Sequence, residues 1–464
     1  MSQEIPESKT RVQKSKYEMD MCSGSILKKM LLFSVPLVLS SILQLLFNTA
    51  DNIVVGQFGG DNSLSAVGST GSLINLITNL FMGLSVGTNV VAARHFSANE
   101  EDDVHKVVHT SIAISIIGGI FLTVIGMLLA PKMLIWMNTP KGVLDLASLY
   151  VRIYFAGIIA LLLYNFGSAI LRAIGDTRRP LIYLSIAGVV NVLLNLFFVI
   201  VLELDVAGVA LATTISQCLS AFLVIRCLMK EKSAVRLVLK EIKIYKKKLF
   251  EIMKIGLPAG IQGSLFSLSN VVIQSAINSF GEIVMAGNAA AANLEGYVYV
   301  SMNAFHQSTI TFVSQNVGGQ KYNRVNKIIF TGLGCVIVVG LLLGVGVFLG
   351  GNLLLRCYTD SSAAVVAGMT RLQYVCCVYF LCGIMDVLVG GLRGLGRSII
   401  PMIVSLMGAC GFRLLWIFTV FEIERFHMIE TVYISYAISW ILTAAVHAMC
   451  LFIIRKILKK HWGV

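Results

Sequence analysis

The stretch QLLFNTADNIVVGQFGG (44–60) closes the first long apolar segment of the chain, and it carries a carboxylate, Asp51, with no basic residue nearby in sequence. Gln44, Asn48 and Asp51 stand at i, i+4 and i+7, a spacing that puts them on one helical face, with Asn52 beside them. A lone charge in hydrocarbon costs roughly 2.5–3.5 kcal/mol on insertion scales. A carboxylate there sheds that cost by taking a proton, or by binding a cation through its own oxygens and those of its neighbours. Both are ion-coupling chemistry, and the plainer alternative for Asp51 is a structural hydrogen-bond acceptor.

Other polar residues recur at helical spacing inside apolar runs. They are Ser72, Asn75 and Asn79; Asn191 and Asn195; Thr213 and Gln217; Ser267, Asn270, Gln274 and Asn278; and Glu295, Tyr299 and His306. Any one of them reads as an interhelical hydrogen bond that glues a bundle. Taken together, so many stripes point to a partly wet interior cavity. Glu295, Asp386 and Arg413 are the remaining ionisable residues well inside apolar runs, with Glu295 or Asp386 expected to neutralise Arg413. His306 and His447 read as satisfied helix histidines. Tyr154, Tyr164, Tyr299 and Met302 offer aromatic or polarisable surface to lipophilic cations, against the plain reading that they pack.

These side chains need elements to carry them. Of the 464 residues 56% are hydrophobic and 13% charged, whereas soluble domains carry about 25% charged residues. The chain therefore reads as a membrane protein. Runs of about 20 apolar residues mark spanning helices, and twelve are expected: helix 1 (31–56), helix 2 (63–92), helix 3 (104–129), helix 4 (145–170), helix 5 (179–202), helix 6 (206–228), helix 7 (252–279), helix 8 (283–314), helix 9 (326–350), helix 10 (364–391), helix 11 (399–421) and helix 12 (430–455). The runs are continuously apolar, unlike the alternation of barrel strands. The polar first 25 residues lack the short apolar core and cleavage site of a secretory signal, so helix 1 is expected to be a true span. The ten cysteines show no metal-ligand or disulfide spacing and read as small packing residues.

The net charge of +13 is distributed as a topology signal. With twelve helices, thirty of the thirty-seven lysines and arginines fall on one side, leaving Lys132, Lys141, Arg152, Arg356, Arg371, Arg413 and Arg425 elsewhere. The positive-inside rule then places both termini in the cytoplasm. The run KEIKIYKKK (240–248) belongs to that signal, with anionic lipid as a sharper alternative. Nucleic acid is not expected as a partner.

The chain also repeats itself. RAIGDTRRP (172–180) aligns with RGLGRSIIP (393–401) and VHKVVHT (104–110) with VNKIIFT (325–331), both at an offset of 221; Pro36 matches Pro258 at 222. Each half holds six helices, an even number, so both halves insert with one orientation as parallel repeats. The expected layout is an N-terminal tail (1–25), an N-lobe (26–229), a basic linker (230–250), a C-lobe (251–455) and a C-terminal tail (456–464). At the repeat offset Asp51 faces Val272 or Ile273, so the acid is present in one lobe only.

The order and duplication of NTADNIVVGQFG, RAIGDTRRP leading into NVLLN, SQNVGGQKYNRV and LRGLGRSIIP resemble the multidrug and toxic compound extrusion family over about 26–455. The resemblance implies an all-α fold of twelve helices in two pseudo-symmetric six-helix lobes around a central cleft. It implies alternating-access efflux of organic, often cationic compounds in exchange for sodium ions or protons, with no cofactor. The family's first-lobe cation site maps onto Asp51, Asn191 and Thr213. At its second acidic position this chain has Asn195, which leaves Asp51 as the sole charge, holding a sodium ion or a proton. Gln44, Asn48, Tyr154, Tyr164, Asn270, Gln274, Glu295, Tyr299, Met302, Asp386 and Arg413 are then the candidates for the substrate cavity. A monomer in the cytoplasmic membrane, with small organic compounds and lipids as partners, completes the expectation.

Other classes fit less well. No GxxxxGK[ST] segment is present for a nucleotide-driven pump, and neither HExxH nor a serine elbow for an intramembrane enzyme. An exporter of a lipid-linked or other single metabolite shares the general architecture. A pyrophosphate-bearing cargo, however, calls for several basic cavity residues where this chain offers mainly Arg413. A channel suits the repeat less well than alternating access does.

Overall fold

The computed structural model describes residues 17–60, 62–137 and 139–462. Residues 1–16 of the basic N-terminal tail and the last two residues of the C-terminal tail lie outside the described residues.

Hydrocarbon offers the backbone no partners, so each apolar run folds as a helix that satisfies its own N–H and C=O groups. Helix 1 is Ile26–Phe58, opened by Ser25, whose hydroxyl accepts the amide of Lys28. Helix 2 is Ser63–Ser97, helix 3 Glu101–Trp136, helix 6 Asp205–Lys230, helix 7 Lys246–Asn278, helix 8 Glu282–Gly318, helix 9 Tyr322–Leu349 and helix 12 Ile429–Trp462. Helix 5 runs over Arg178–Leu196 and closes in a wide π-helical turn, Phe197–Val201. Helix 11 comprises Ile399–Ser405, a π-helical segment Leu406–Gly411, and Phe412–Thr419. A short helix, Gly351–Arg356, links helices 9 and 10.

Two spans expected to be single helices are broken. Helix 4 is Lys141–Ala156 followed, after a 47° bend, by Ile158–Ala173. The bend falls on Gly157, where a Cβ would come within 2.6 Å of the Thr214 side chain, so glycine is what lets helix 4 approach helix 6 there. Helix 10 is Ser362–Arg371 with a π-helical continuation Leu372–Cys376, then a 42° bend into Phe380–Gly394. A π segment shifts the phase of the side chains that follow it.

Among the described residues eight helices are long and apolar enough to cross a membrane, and the two bent pairs raise this to ten. Helices 7 and 8 are as long, but their polar stripes make them less apolar. They are also the interior helices of the second half: helix 7 packs along helix 2, and helix 8 lies among helices 1, 2, 9 and 10. The whole is an all-α membrane protein of twelve transmembrane helices in two parallel, pseudo-symmetric six-helix lobes around a central cleft.

The lobes meet on glycine. Gly83 and Gly87 of helix 2 face Gly256 and Gly260 of helix 7 so closely that a Cβ on Gly83 would lie 2.1 Å from the backbone nitrogen of Gly260. Small residues permit such contact, and dispersion between backbones then holds the pair. Further lobe-to-lobe contacts gather at the end that carries both chain termini. Arg94 donates to the Gly394 carbonyl (3.0 Å), Ser97 to that of Gln315 (2.6 Å), and Gln315 to that of Ala173 (2.7 Å). Lys248 of helix 7 reaches Asp103 of helix 3 at 3.2 Å. Toward the opposite end, Gln44 and Asn48 on helix 1 and Asn270 on helix 7 are exposed.

Candidate functional site

Helices 1, 5 and 6 bring four polar side chains to one place in the N-lobe. Asp51 is 8% exposed, and its carboxylate accepts from the Asn195 carboxamide of helix 5 and from the Thr213 hydroxyl of helix 6, the latter at 3.3 Å. Asn195 Nδ2 also lies 3.4 Å from Asn191 Oδ1, and Asn191 Nδ2 lies 3.4 Å from Thr213 Oγ1. The four groups thus form a closed ring of hydrogen bonds. Asn191 and Asn195 are buried one turn apart on the face of helix 5 turned to helix 1. The π-helical turn begins two residues beyond Asn195.

Among the described residues no Lys, Arg or His lies within 4 Å of the Asp51 carboxylate. Its partners are neutral, so its charge is solvated by dipoles and left uncompensated. A buried ion pair breaks even only when its geometry is good and its remaining valences are met; Asp51 has no ion pair at all. Asn195 Oδ1 is buried and has no hydrogen-bond donor. Two carboxylate oxygens, the Asn191 Oδ1 and the Thr213 Oγ1 therefore stand in the ring, and the Asn195 carboxamide carries a further oxygen without a partner. That donor set fits a small hard cation, which prefers oxygen ligands. It also fits a proton, since a neutral carboxyl keeps acceptor capacity for the same donors. Tyr150, stacked on Tyr154 with ring centroids 6.3 Å apart, lies within electrostatic reach of Asp51. Tyr150 was not among the candidates, although its place one turn before Tyr154 on the same face was a usable signal.

The C-lobe is organised differently from the expectation. Glu295 does not neutralise Arg413. It takes a bidentate pair from Arg371, with Nε at 2.9 Å and Nη2 at 2.8 Å. Arg371 also donates to Asn288 Oδ1 (2.6 Å), which accepts from Tyr433 at 3.3 Å, while Asn288 donates to Gln274 (3.1 Å). Helices 7, 8, 10 and 12 are joined through this network. Asp386 does not neutralise Arg413 either: the charge nearest to it in effect is Arg393, which itself donates to Gln262 at 2.9 Å. Arg413 is buried, with Nε on Ser439 Oγ (2.8 Å) and its plane over the rings of Tyr436 and Trp440.

The other candidates divide by exposure. Gln44, Asn48, Asn270 and Tyr299 are exposed, and Tyr154, Gln274 and Asp386 are partly buried. Tyr164 and Met302 lie in packed interiors. Tyr164 is buried with its hydroxyl on the Pro180 carbonyl (3.2 Å), and Met302 sulfur packs where Gly340 and Gly383 leave room. Both depart from the cavity expectation, because a close neighbour on the next helix claims each side chain. His306 is buried with Nδ1 on the Asp386 carbonyl, 2.5 Å away, and His447 meets Ser405 at 3.0 Å.

The MatE family model matches residues 36–197 and again 258–419, which together exceed half the chain. The chain belongs to the multidrug and toxic compound extrusion (MATE) family. The two matched segments begin and end 222 residues apart, the spacing of Pro36 and Pro258 and one more than that of the two repeated motifs. This MATE protein is 27% identical over 388 residues to the probable multidrug resistance protein YpnP of Bacillus subtilis, covering 84% of this chain and 87% of that one. It is 22% identical to the FAD transporter of Shewanella oneidensis over 69% of this chain and 72% of that one. Its fold superimposes on that of a MOP superfamily transporter from Pyrococcus furiosus with a TM-score of 0.90 at 21% identity, over 96% of this chain and all of that one. This MATE protein is a multi-pass membrane transporter of small compounds, and not an enzyme.

Proposed function

We propose that this MATE transporter exports organic compounds, cationic ones among them, in exchange for an inward-moving sodium ion or proton carried at Asp51. The observation that carries the reading is the Asp51 carboxylate, buried among Asn191, Asn195 and Thr213 without a basic partner. A charge in that position is relieved only when a cation or proton joins it. Occupation of the ring links helices 1, 5 and 6 more tightly, and its loss frees helix 1, the helix that also packs on helix 8 of the other lobe. Ion and cargo then favour different lobe arrangements, and the difference in their affinities for the two states drives exchange. Each elementary charge moved inward brings about 2.3 kcal/mol per 100 mV of membrane potential.

The bias of basic residues supports cytoplasmic termini, and the reading takes the protein as a monomer in the cell membrane with lobes at 26–229 and 251–455. On that orientation the glycine seam and the polar contacts around Gln315 close the cytoplasmic side, while the cleft with Gln44, Asn48, Asn270 and Tyr299 opens outward. Membrane lipids surround the apolar faces.

A second reading, export of one particular metabolite, draws support from the relative named an FAD transporter and from the uncompensated Arg413 in the C-lobe. The deciding experiment is efflux from proteoliposomes under separately imposed sodium, proton and electrical gradients, with organic cations and anions as cargo. Gradient-driven export by wild type and its loss in Asp51→Asn are expected. Undiminished gradient-driven transport by Asp51→Asn overturns the reading.

A further inference from the structure

We propose that the C-lobe holds a recognition site for the anionic group of planar aromatic compounds, centred on the Arg413 guanidinium. The inference deepens the reading of this chain as a small-molecule exporter and rests on it.

Arg413 is 4% exposed. Among the described residues, of its five N–H donors only Nε has a hydrogen-bond acceptor, Ser439 Oγ at 2.8 Å. Its Nη2 is buried without any partner. Among the described residues no carboxylate stands within 4 Å of it. The same lobe shows what a neutralised arginine looks like: Arg371, two-pronged on Glu295 and capped by Asn288. Arg413 has no such acid, and unlike Arg393, which reaches the Gln262 carboxamide through Nη2, its Nη2 has no acceptor among the described residues.

Its orientation is nevertheless fixed. The guanidinium carbon sits 4.3 Å from the ring centre of Tyr436 and 5.4 Å from that of Trp440. These rings attract the cation and keep it in place, while Nη2 is left without an acceptor; a guanidinium can take a carboxylate or phosphate in two parallel bonds. A run of rings leads to it from the cleft helices: Tyr299 on helix 8, 38% exposed, stands 6.4 Å from Tyr379 on helix 10, which stands 5.2 Å from Trp440. Tyr299 is the exposed end of that run, Trp440 (3% exposed) and Arg413 its buried end, and a flat aromatic body entering along Tyr299 and Tyr379 would direct an anionic end toward Arg413.

The repeat sharpens the point. At the spacing of 222 between the ends of the two matched segments, Arg413 falls at the place of Asn191 and Ile273 at that of Asp51, whereas the 221 of RAIGDTRRP and RGLGRSIIP sets Arg413 one residue on, against Val192. Where the N-lobe has an acid among amides, the C-lobe has lost the acid and gained a base. The two lobes thus offer opposite charges at related positions.

The test uses the full-length protein in phosphatidylcholine nanodiscs, without a gradient. Binding of 2-naphthoate, 2-naphthamide, 2-naphthylmethylammonium and cyclohexanecarboxylate is followed by calorimetry. Wild type is expected to bind naphthoate about tenfold more tightly than either the amide or the non-aromatic acid, the scale of one charge-assisted contact. Arg413→Gln is expected to erase the preference over the amide and to leave the ammonium probe unaffected. Arg413→Lys keeps the charge but loses the planar fork, and an intermediate affinity is expected; this variant also decides the matter if Arg413→Gln does not fold. Equal naphthoate affinity in wild type and Arg413→Lys, or no wild-type preference for naphthoate over naphthamide, overturns the proposal. Adding phosphatidylglycerol to the discs separates a lipid headgroup from a soluble cargo: displacement of naphthoate by the lipid also overturns it. A protein that binds naphthoate through Arg413 yet shows no gradient-driven export retains this site and loses the export reading, and the converse holds equally.

Discussion

Asn195 of helix 5 donates its carboxamide N–H to the Asp51 carboxylate of helix 1 and leaves its own Oδ1 buried without a donor. The family resemblance leads to the expectation of a second acid at this position. Here an amide supports the acid without adding charge, so the ring carries a single uncompensated negative charge and one spare oxygen.

The identity of the coupling ion can be read from stability. A ligand that binds only the folded protein stabilises it, by about 2.7 kcal/mol at a hundred times its Kd. If sodium is the ion, the wild-type melting midpoint rises with sodium chloride and not with choline chloride. If the proton is the ion, it rises on acidification alone. Asp51→Asn is expected to melt within about 1 kcal/mol of wild type, since the amide still accepts from Asn195, and to lose whichever response the wild type shows. Identical responses in both proteins remove Asp51 from ion coupling.

The Glu295–Arg371 pair is predicted to be structural. Breaking it by Glu295→Gln or Arg371→Met leaves a buried charge alone, and a loss of about 3–5 kcal/mol is expected. Replacing both residues with apolar ones of similar volume should restore most of that loss. Thermal unfolding in detergent gives the comparison, and a double variant less stable than either single one contradicts the assignment.

The glycine seam between helices 2 and 7 tolerates no added carbon. Gly83→Ala and Gly260→Ala each place a methyl against backbone, at 2.1 Å from Gly260 N and 2.5 Å from Leu80 O. A cost of about 1–3 kcal/mol per site is expected from overpacking. Gly68→Ala, with nothing within 4 Å of the new carbon, serves as the matched control and should be silent in the same melting assay.

Lys248 is expected to hold the termini end closed. It is buried, and its ammonium reaches Asp103 (3.2 Å), Glu251 (3.4 Å) and His95 (2.9 Å) from the other side of the lobe boundary and its own helix. Lys248→Gln should lengthen or broaden the distance between spin labels at the exposed positions Asp102 and Lys247, measured by electron–electron resonance. An unchanged distance distribution shows that the glycine seam and the contacts of Arg94, Ser97 and Gln315 hold the closed end without Lys248.

Much of this was legible in the chain itself. Continuous apolar runs leave the backbone no choice but helix, so all twelve helices could be placed from composition, and the even number in each half followed from their count. Asp51 stood out because nothing near it in sequence could neutralise it. Its neighbours Asn191, Asn195 and Thr213 were visible as polar stripes, with one helical turn between the two asparagines. Bends at Gly157 and after Cys376 were not visible, because they answer to a neighbouring helix rather than to the local residues.

Charge pairing lay beyond the sequence for the same reason. Glu295, Asp386 and Arg413 all sit inside apolar runs, and hydropathy alone makes any acid a candidate for any base. Only packing decided that Glu295 meets Arg371, 76 positions away, and that Arg413 is left to the rings of helix 12. The sequence determined which residues would be costly to bury, since that cost belongs to each side chain. The tertiary structure decided which of those costs were cancelled, because cancellation depends on distance across helices.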